Sequence, residues 1–441
     1  MARSATADLE ARVAALAARL PRVRRLVVGF SGGPDSTALL LTAARGSGPW
    51  CVEALHVDHS LSPESGAWAE HCAQVSAALE VEFVSRQVRV VRAGDGEEAA
   101  ARRARFAAFE AHLDSETLLL LAQHREDQAE TFLQRALRGS GPAGLGAMTP
   151  LRSLGAGWLG RPFLDVPREA LAQEVRAAGL PTIDDPMNDD LRLERGHLRR
   201  RVLPELRERR QGLDAALART AELCRESGEM LDWFADRELA CRLEDGGRRF
   251  SLAGFAQLPD GVQRLVLRAW LAALGQRAIP RVRLEAFRKQ LGARPDAAVA
   301  LELDGLWLRR YRDELFATDA LAVPTGWSQV WRGPHLELPA DCGALEWRHL
   351  EDGGLMDPGI EPVVRFRDGG ERLPLPDGRG HRTLKALLQA RGVPPWERLR
   401  LPLLEHEGEL MAVPGVFASP RWEALLAARC CQLRLVRPVR T

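Results

Sequence analysis

Residues 26–44 confine this chain to few folds. Leu26–Phe30 (LVVGF) is a short apolar run, Ser31-Gly32-Gly33-Pro34-Asp35-Ser36 follows without a gap, and Ser36–Ala44 reads as a helix. Two adjacent glycines let the backbone turn sharply and aim its N–H groups into a concavity. The helix start adds partial positive charge and Ser31 and Ser36 add hydroxyl donors, so the loop suits a phosphate. It is not the kinase-type loop G-x-x-x-x-G-K-[ST], since Lys289 and Lys385 are the only lysines in the sequence. Asp35 lies inside the loop, where a carboxylate repels phosphates unless a divalent cation sits between them. Mg²⁺ is therefore implied.

The surrounding pattern places this loop in an α/β domain. Further strands are predicted at Cys51–His59, Val81–Val88 and Thr117–His124, separated by helical stretches. Such alternation implies a parallel sheet covered on both faces, with ligands bound beyond the carboxyl ends of the strands. The places to look are just after Phe30, His56 and Leu121. The expected catalytic domain spans 1–212. From Leu213, apolar residues recur at intervals of three and four, and Pro259 and Pro280 each precede a further helical stretch. An all-helical domain is expected over 213–318. A linker or mixed region (319–360) and a small α/β domain (361–441) should follow.

Composition narrows the function classes. The 441 residues are 46% hydrophobic and 27% charged, the make-up of a soluble globular chain. No apolar run approaches the ~20 residues of a membrane span, and the first twenty residues alternate charge with apolar residues, unlike a signal peptide. A soluble protein without membrane contact is expected, in the cytoplasm. The seven cysteines are scattered without a C-x-x-C pair, which argues against a disulfide framework, a zinc ribbon and an iron–sulfur cluster.

The other two strand ends carry polar residues. His56-Val57-Asp58-His59 closes the second strand beside the phosphate loop, where its polar residues are either turn-formers or ligand contacts. The strand Thr117–His124 ends at His124, and Arg125-Glu126-Asp127-Gln128-Ala129-Glu130 opens a helix. Acids at a helix start are stabilising through the dipole alone. Asp127 and Glu130, three apart, also share a face, and such a pair suits a metal ion or an amine. Glu126 points roughly 100° away, which suits a supporting role.

Ser-Gly-Gly-x-Asp-Ser after a first strand resembles the ATP-pyrophosphatase (PP-loop) signature of the N-type family, whose members cleave ATP between the α- and β-phosphates. Glu98–Phe106, Arg138–Leu145, Arg161-Pro162-Phe163-Leu164, Asp185-Pro186-Met187-Asn188 and Arg195-Gly196-His197-Leu198-Arg199 then follow in order. With His381-Arg382-Thr383-Leu384-Lys385 and Pro395-Trp396-Glu397-Arg398 near the C-terminus, they resemble the tRNA(Ile)-lysidine synthetase family over nearly the whole chain. The resemblance implies ATP bound on Ser31, Gly32, Gly33, Pro34, Asp35 and Ser36, with His56 and Asp58 near the base. It implies Mg²⁺ on Asp35 and Asp127, and a catalytic set of Asp35, His124, Asp127, Glu130, Arg195 and Arg199. It also implies free lysine and an isoleucine tRNA as substrates, and a tRNA-binding C-terminal domain.

RNA contacts are expected in two places. Residues 192–211 hold eight arginines against three glutamates, a local +5 in a chain whose total is +1. Arg192, Arg200, Arg201 and Arg207 are candidates there, with His381, Arg382 and Lys385 as a second cluster. Such residues bind phosphates in a salt-dependent manner. The competing reading of the first cluster is a solvated helix face with internal ion pairs. Two other functions stay open: a tRNA thiolase, for which the lack of C-x-x-C is unfavourable, and a nucleotide-dependent RNA-binding protein without catalysis. A homodimer is compatible with the sequence, though no residue pattern specifies one.

Overall fold

The computed structural model describes residues 2–59, 65–91, 97–184, 194–294, 297, 299–374 and 381–437. These divide into two compact units, Met1–Trp233 and Phe234–Thr441.

The first unit is built on six strands: β1 (Arg25–Gly29), β2 (Cys51–Asp58), β3 (Glu82–Gln87), β4 (Thr117–Leu120), β5 (Leu151–Leu154) and β6 (Gly157–Gly160). Their order is β3-β2-β1-β4-β6-β5, parallel except for the edge strand β5. Leu26 and Val28 point to one face of β1 and Val27 to the other, and all three are fully buried. Such a strand needs helices on both sides. On one face lie α1 (Ala2–Ala18), α2 (Pro34–Arg45) and later α7 (Arg168–Ala178), contributing Val13, Leu16, Leu39, Leu40, Leu171 and Val175 to the core. On the other, Phe109 and Leu113 belong to α4 (Glu97–His112) and its C-terminal end. α3 (Ser65–Ala78) follows β2, while α5 (Arg125–Leu137) and the single turn α6 (Pro142–Leu145) follow β4. The chain runs from β1 outward to β2 and β3 and then crosses back to β4 on the other side of β1, and this reversal opens a crevice at the carboxyl ends of β1 and β4.

Beyond the sheet come α8 (Glu194–His197), a π-helical turn at Leu198–Val202, α9 (Leu203–Arg209) and the long α10 (Leu213–Ala240). The second unit holds α11 (Asp260–Ala273) and α12 (Arg281–Gln290), close to the predicted helices. The middle segment is nevertheless not all-helical. It also carries β7 (Leu243–Glu244), β8 (Arg249–Ser251), β9 (Ala300–Leu303), β10 (Leu306–Tyr311) and β11 (Glu314–Asp319), an antiparallel sheet ordered β7-β8-β11-β10-β9. Leu301, Leu303, Leu306, Leu308, Leu315 and Ala317 turn one face onto Trp270, Leu284 and Phe287. A hairpin alternation, with Gly305 at φ +81° in its first turn, overrides the helical reading.

Residues 319–360 are likewise built into the C-terminal core and do not serve as a linker. β12 (Ser328–Val330), β13 (His335–Glu337) and β14 (Ala344–His349) precede β15 (Val363–Arg365), β16 (Arg372–Pro374), β17 (His381–Thr383), α13 (Leu384–Ala390), α14 (Pro395–Arg398), β18 (Leu403–His406), β19 (Glu409–Val413), β20 (Phe417–Ala418), α15 (Pro420–Ala428) and β21 (Cys431–Val436). β12 pairs with β15, and β14 with β21. Trp331 and Trp347 stack at 4.4 Å, fully buried. Deleting 361–441 is therefore expected to strip both strands of their partners and expose the stacked tryptophans. Dye binding and light scattering should reveal an aggregating product, whereas a cut before β12 leaves no such remnant.

Candidate active site

The phosphate loop takes the conformation its glycines allow. Gly32 has φ +79°, and a Cβ there would lie 2.6 Å from Ile183 Cδ1 and 3.0 Å from Cys72 Sγ, so only glycine fits. Gly33 caps α2 without a side-chain hydrogen bond, and Pro34 opens the helix, which leaves the N-terminal turn facing the crevice. Ser31 and Ser36 hydroxyls lie 3.1 Å apart, and Ser36 Oγ donates to Gly33 O. Asp35, expected as a metal ligand, projects from this turn. Its Oδ1 is buried without a hydrogen-bond partner, and Arg168 Nε lies 3.4 Å away.

The end of β4 meets that carboxylate. His124 is nearly buried, with Nε2 3.6 Å from Asp35 Oδ2 and 3.4 Å from Asp127 Oδ2. Its Nδ1 is 3.0 Å from Glu126 Oε2, which also accepts from the Arg168 backbone N–H. Burial opposes charge on this imidazole, but the surrounding carboxylates of Asp35, Glu126 and Asp127 overcome it, and its pKa is pushed up to about 10. The three acids around it favour the charged form of the imidazole. Glu126 has the supporting position its angle on the helix suggests.

Asp127 and Glu130 share one face of α5 and together hold two arginines. Arg195 donates to Glu130 Oε2 (2.8 Å) and Asp127 Oδ1 (2.6 Å). Arg199 donates to Glu130 Oε1 (2.6 Å) and Oε2 (2.9 Å), and lies 3.3 Å from Asp127 Oδ1. Burial raises the Asp127 pKa, but His124, Arg195 and Arg199 outweigh it and hold the group below the usual carboxylate range. Glu130 is 1% exposed with both oxygens engaged. It anchors both arginines through its two oxygens. Asp127 Oδ2 faces His124 and the Asp35 side instead.

Among the described residues no set of three or more His, Cys, Asp or Glu forms a cage for a metal. Mg²⁺ needs less, since one or two carboxylates and the substrate phosphates complete its shell. Asp35 and Asp127 meet that requirement: one oxygen of each already faces a common cationic group, and Asp35 Oδ1 has no hydrogen-bond donor.

The remaining expected residues are more dispersed. His56 is buried, and its Nδ1 lies 2.9 Å from Phe30 O, so the side chain ties β2 to β1. Asp58 ends β2 at the crevice rim, with its carbonyl accepting from Val88 N. Arg207 is committed to Asp214 through two bonds of 2.8 and 2.9 Å, and is thereby withdrawn from the expected phosphate contacts. Arg200 and Arg201 are exposed, as are Arg382 and Lys385, while His381 lies in β17. Arg192 and 185–188 lie outside the described residues. Sequence spacing gave no signal for Arg168, which reaches Asp35 from α7, more than a hundred residues away.

Family models match along the chain: a PP-loop domain over residues 5–206, a TilS substrate binding domain over 250–316 and a TilS substrate C-terminal domain over 363–435. The chain is 39% identical to a tRNA(Ile)-lysidine synthase of Xanthomonas campestris pv. campestris (strain 8004), covering 93% of this chain and 94% of that one. A tRNA(Ile)-lysidine synthase of Yersinia pestis is 36% identical, with 96% of each chain covered. That of Methylococcus capsulatus is 38% identical, covering 88% and 90%. With a strand–glycine–helix phosphate loop facing a His–Asp–Glu–Arg cluster across the same sheet edge, and relatives matching over most of both chains, this chain belongs to the tRNA(Ile)-lysidine synthase family.

Proposed function

We propose that the chain is an ATP-dependent ligase that joins free lysine to C2 of the wobble cytidine of an isoleucine tRNA, releasing AMP and pyrophosphate. The observation that carries this reading is the facing of Asp35, in the phosphate loop, and His124 with Asp127, at the adjacent strand end. A nucleotide cleaved at one would meet an amine held at the other. No helix of the described residues is long and apolar enough to cross a membrane, and we assign the reaction to the cytoplasm.

ATP would lie with its phosphates over Ser31–Ser36, receiving N–H groups of the α2 start and the two serine hydroxyls. Asp35 and Asp127 would hold Mg²⁺, which supplies charge neutralisation on the phosphates when bound. The cytidine 2-oxygen attacks the α-phosphorus and forms an O–P bond, while the bond to pyrophosphate breaks. C2 is then electrophilic. The lysine ε-amine adds to it, and AMP leaves with the former cytidine oxygen. Protonated His124 offers fixed positive charge beside the phosphates, preorganised by Glu126. The depressed pKa of Asp127 suits it to orienting the amine more than to taking its proton. Arg195 and Arg199, anchored by Glu130, add cationic charge at the rim. For the tRNA we assign phosphate contacts to Arg200, Arg201, Arg382 and Lys385.

Mass spectrometry of an isoleucine tRNA incubated with ATP and lysine tests this. The expected product gains one lysine less one water at the wobble position, only with both co-substrates present. Sulfur incorporation when an inorganic sulfide donor replaces lysine would indicate a thiolase, and an unchanged tRNA with intact ATP would indicate a binding protein without catalysis.

A further inference from the structure

The second unit is made of modules with separate cores. Trp270, Leu284 and Leu308 lie in one core, Leu384, Leu388 and Leu403 in another, and no strand pairs across among the described residues. A corner of aromatic rings and arginines joins them. Trp396 in α14 meets Tyr311 and Phe316 of the β10–β11 hairpin edge-on, with ring centroids 6.3 and 5.5 Å apart. The Arg309 guanidinium lies over both Trp307 and Trp396, at 5.0 and 5.5 Å from the ring centroids. Its Nη1 is buried without a hydrogen-bond acceptor, so the two rings take the place of one. Arg398 donates to Tyr311 Oη (3.1 Å), and Arg312 to the carbonyl of Gln389 near the end of α13 (2.6 Å). Arg400 is buried and donates to the carbonyls of Ala322, in the connection between the modules, and of Asp341.

This corner bears on the RNA. Thr383 caps the start of α13, where Arg382 and Lys385 stand exposed, and Arg312 holds the other end of the same helix. The helix is seven residues, about 10 Å, so a grip on one end fixes the charges at the other. We propose that the corner formed by Arg309, Tyr311, Trp396 and Arg398 is a clamp that holds the C-terminal module at a set angle to the middle module, and that Trp396 is thereby a positioning residue for the substrate RNA. Trp396 already carries Arg309 and two aromatic neighbours, which favours positioning over stacking on a base. A tRNA that reacts at the phosphate loop while held at Arg382 and Lys385 is bound at two separate places. Fixing the module that carries one of them reduces the freedom lost on binding. The inference rests on the RNA-ligase reading for the identity of that ligand.

The test combines binding of an isoleucine tRNA transcript at several salt concentrations with steady-state kinetics, on full-length wild type, Trp396→Ala, Trp396→Phe and Arg312→Ala. Trp396→Ala should weaken tRNA binding about tenfold and raise the tRNA KM in step. The slope of log affinity against log salt should not change, because no phosphate contact is removed. The kcat at saturating tRNA and the KM values of ATP and lysine should match wild type, and Trp396→Phe, which keeps a ring, should recover most of the affinity. Arg312→Ala alters an exposed side chain, so it should fold normally and weaken binding in the same direction. The clamp itself is read without RNA, as the distance between spin labels on the exposed Cys241 and Cys430 in a Cys51→Ser/Cys224→Ser background. A narrow distance distribution in that parent should broaden in Trp396→Ala and Arg312→Ala. An unbroadened distribution in both overturns the clamp. Broadening with unchanged tRNA affinity overturns the positioning role, as does a lowered salt slope in Trp396→Ala, which would mark direct contact with the RNA. A wild-type chain that forms no lysidine overturns the reaction assignment and leaves the distance result standing.

Discussion

Asp35→Asn should abolish pyrophosphate release while leaving the fold intact. Asparagine has the same shape but no charge, so the loop keeps its conformation and loses the ability to hold a cation against the phosphates. Removing one preorganised electrostatic partner of a developing charge typically lowers kcat by about a hundredfold or more, roughly 3 kcal/mol. The stability change should be small. The Asp35 side chain is 26% exposed, and its contacts with His124 (3.6 Å) and Arg168 (3.4 Å) are longer than good hydrogen bonds. Pyrophosphate release and thermal unfolding, measured on the same preparation, separate the two effects. Release within about tenfold of wild type would show that Asp35 does not serve the phosphates.

Glu130→Gln should damage both stability and activity. Glu130 neutralises two guanidiniums at once from a buried position on α5, and glutamine keeps the shape but not the charge. Breaking a buried ion pair by removing one partner costs about 3–5 kcal/mol. Arg195 and Arg199 are 30% and 28% exposed at the side chain and retain Asp127, so a value of about 2–3 kcal/mol is expected. In a unit of this size that lowers Tm by roughly 4–12 °C. Activity should fall further than the folded fraction does, because both arginines lose the contact that aims them at the crevice. Arg199→Lys, which keeps charge but not the fork, should show the smaller Tm change. A Glu130→Gln protein with wild-type Tm would contradict the four-residue pairing.

How far the sequence carried the structure depends on whether each signal was local. Gly32 and Gly33 followed a buried apolar strand and preceded a helix, and every step of that reading needed only neighbouring residues. The pairing of Asp127 with Glu130 was local too, being set by helical periodicity. Their occupants were not. Arg195 and Arg199 were expected in the catalytic set through the resemblance alone, and no local signal showed that they reach across to α5, more than sixty residues earlier. A window of sequence counts charges without showing which are already neutralised. The same holds for Arg207, whose partner Asp214 lies just beyond the window.

The missed middle sheet has a different cause. Leu301, Leu303, Leu306 and Leu308 alternate about Asp304-Gly305, a short-range hairpin signal. The long amphipathic helix before it drew the reading toward period 3.6 where period 2 ruled. In the stretch 319–360, prolines and glycines suggested a linker, although Trp331 and Trp347 are among the largest buried side chains. Their burial depends on β15 and β21, which come later in the chain.

The account centres on an RNA oxygen being adenylated at the PP-loop and then expelled with AMP. The most direct measurement follows that atom. An isoleucine tRNA carrying a heavy oxygen isotope at the 2-position of its wobble cytidine is incubated with the chain, ATP, Mg²⁺ and lysine, and the AMP is analysed by mass spectrometry. The account predicts that the label appears in the AMP, one atom for each lysidine formed. Label found in water or retained in the modified nucleotide, with unlabelled AMP, would contradict it.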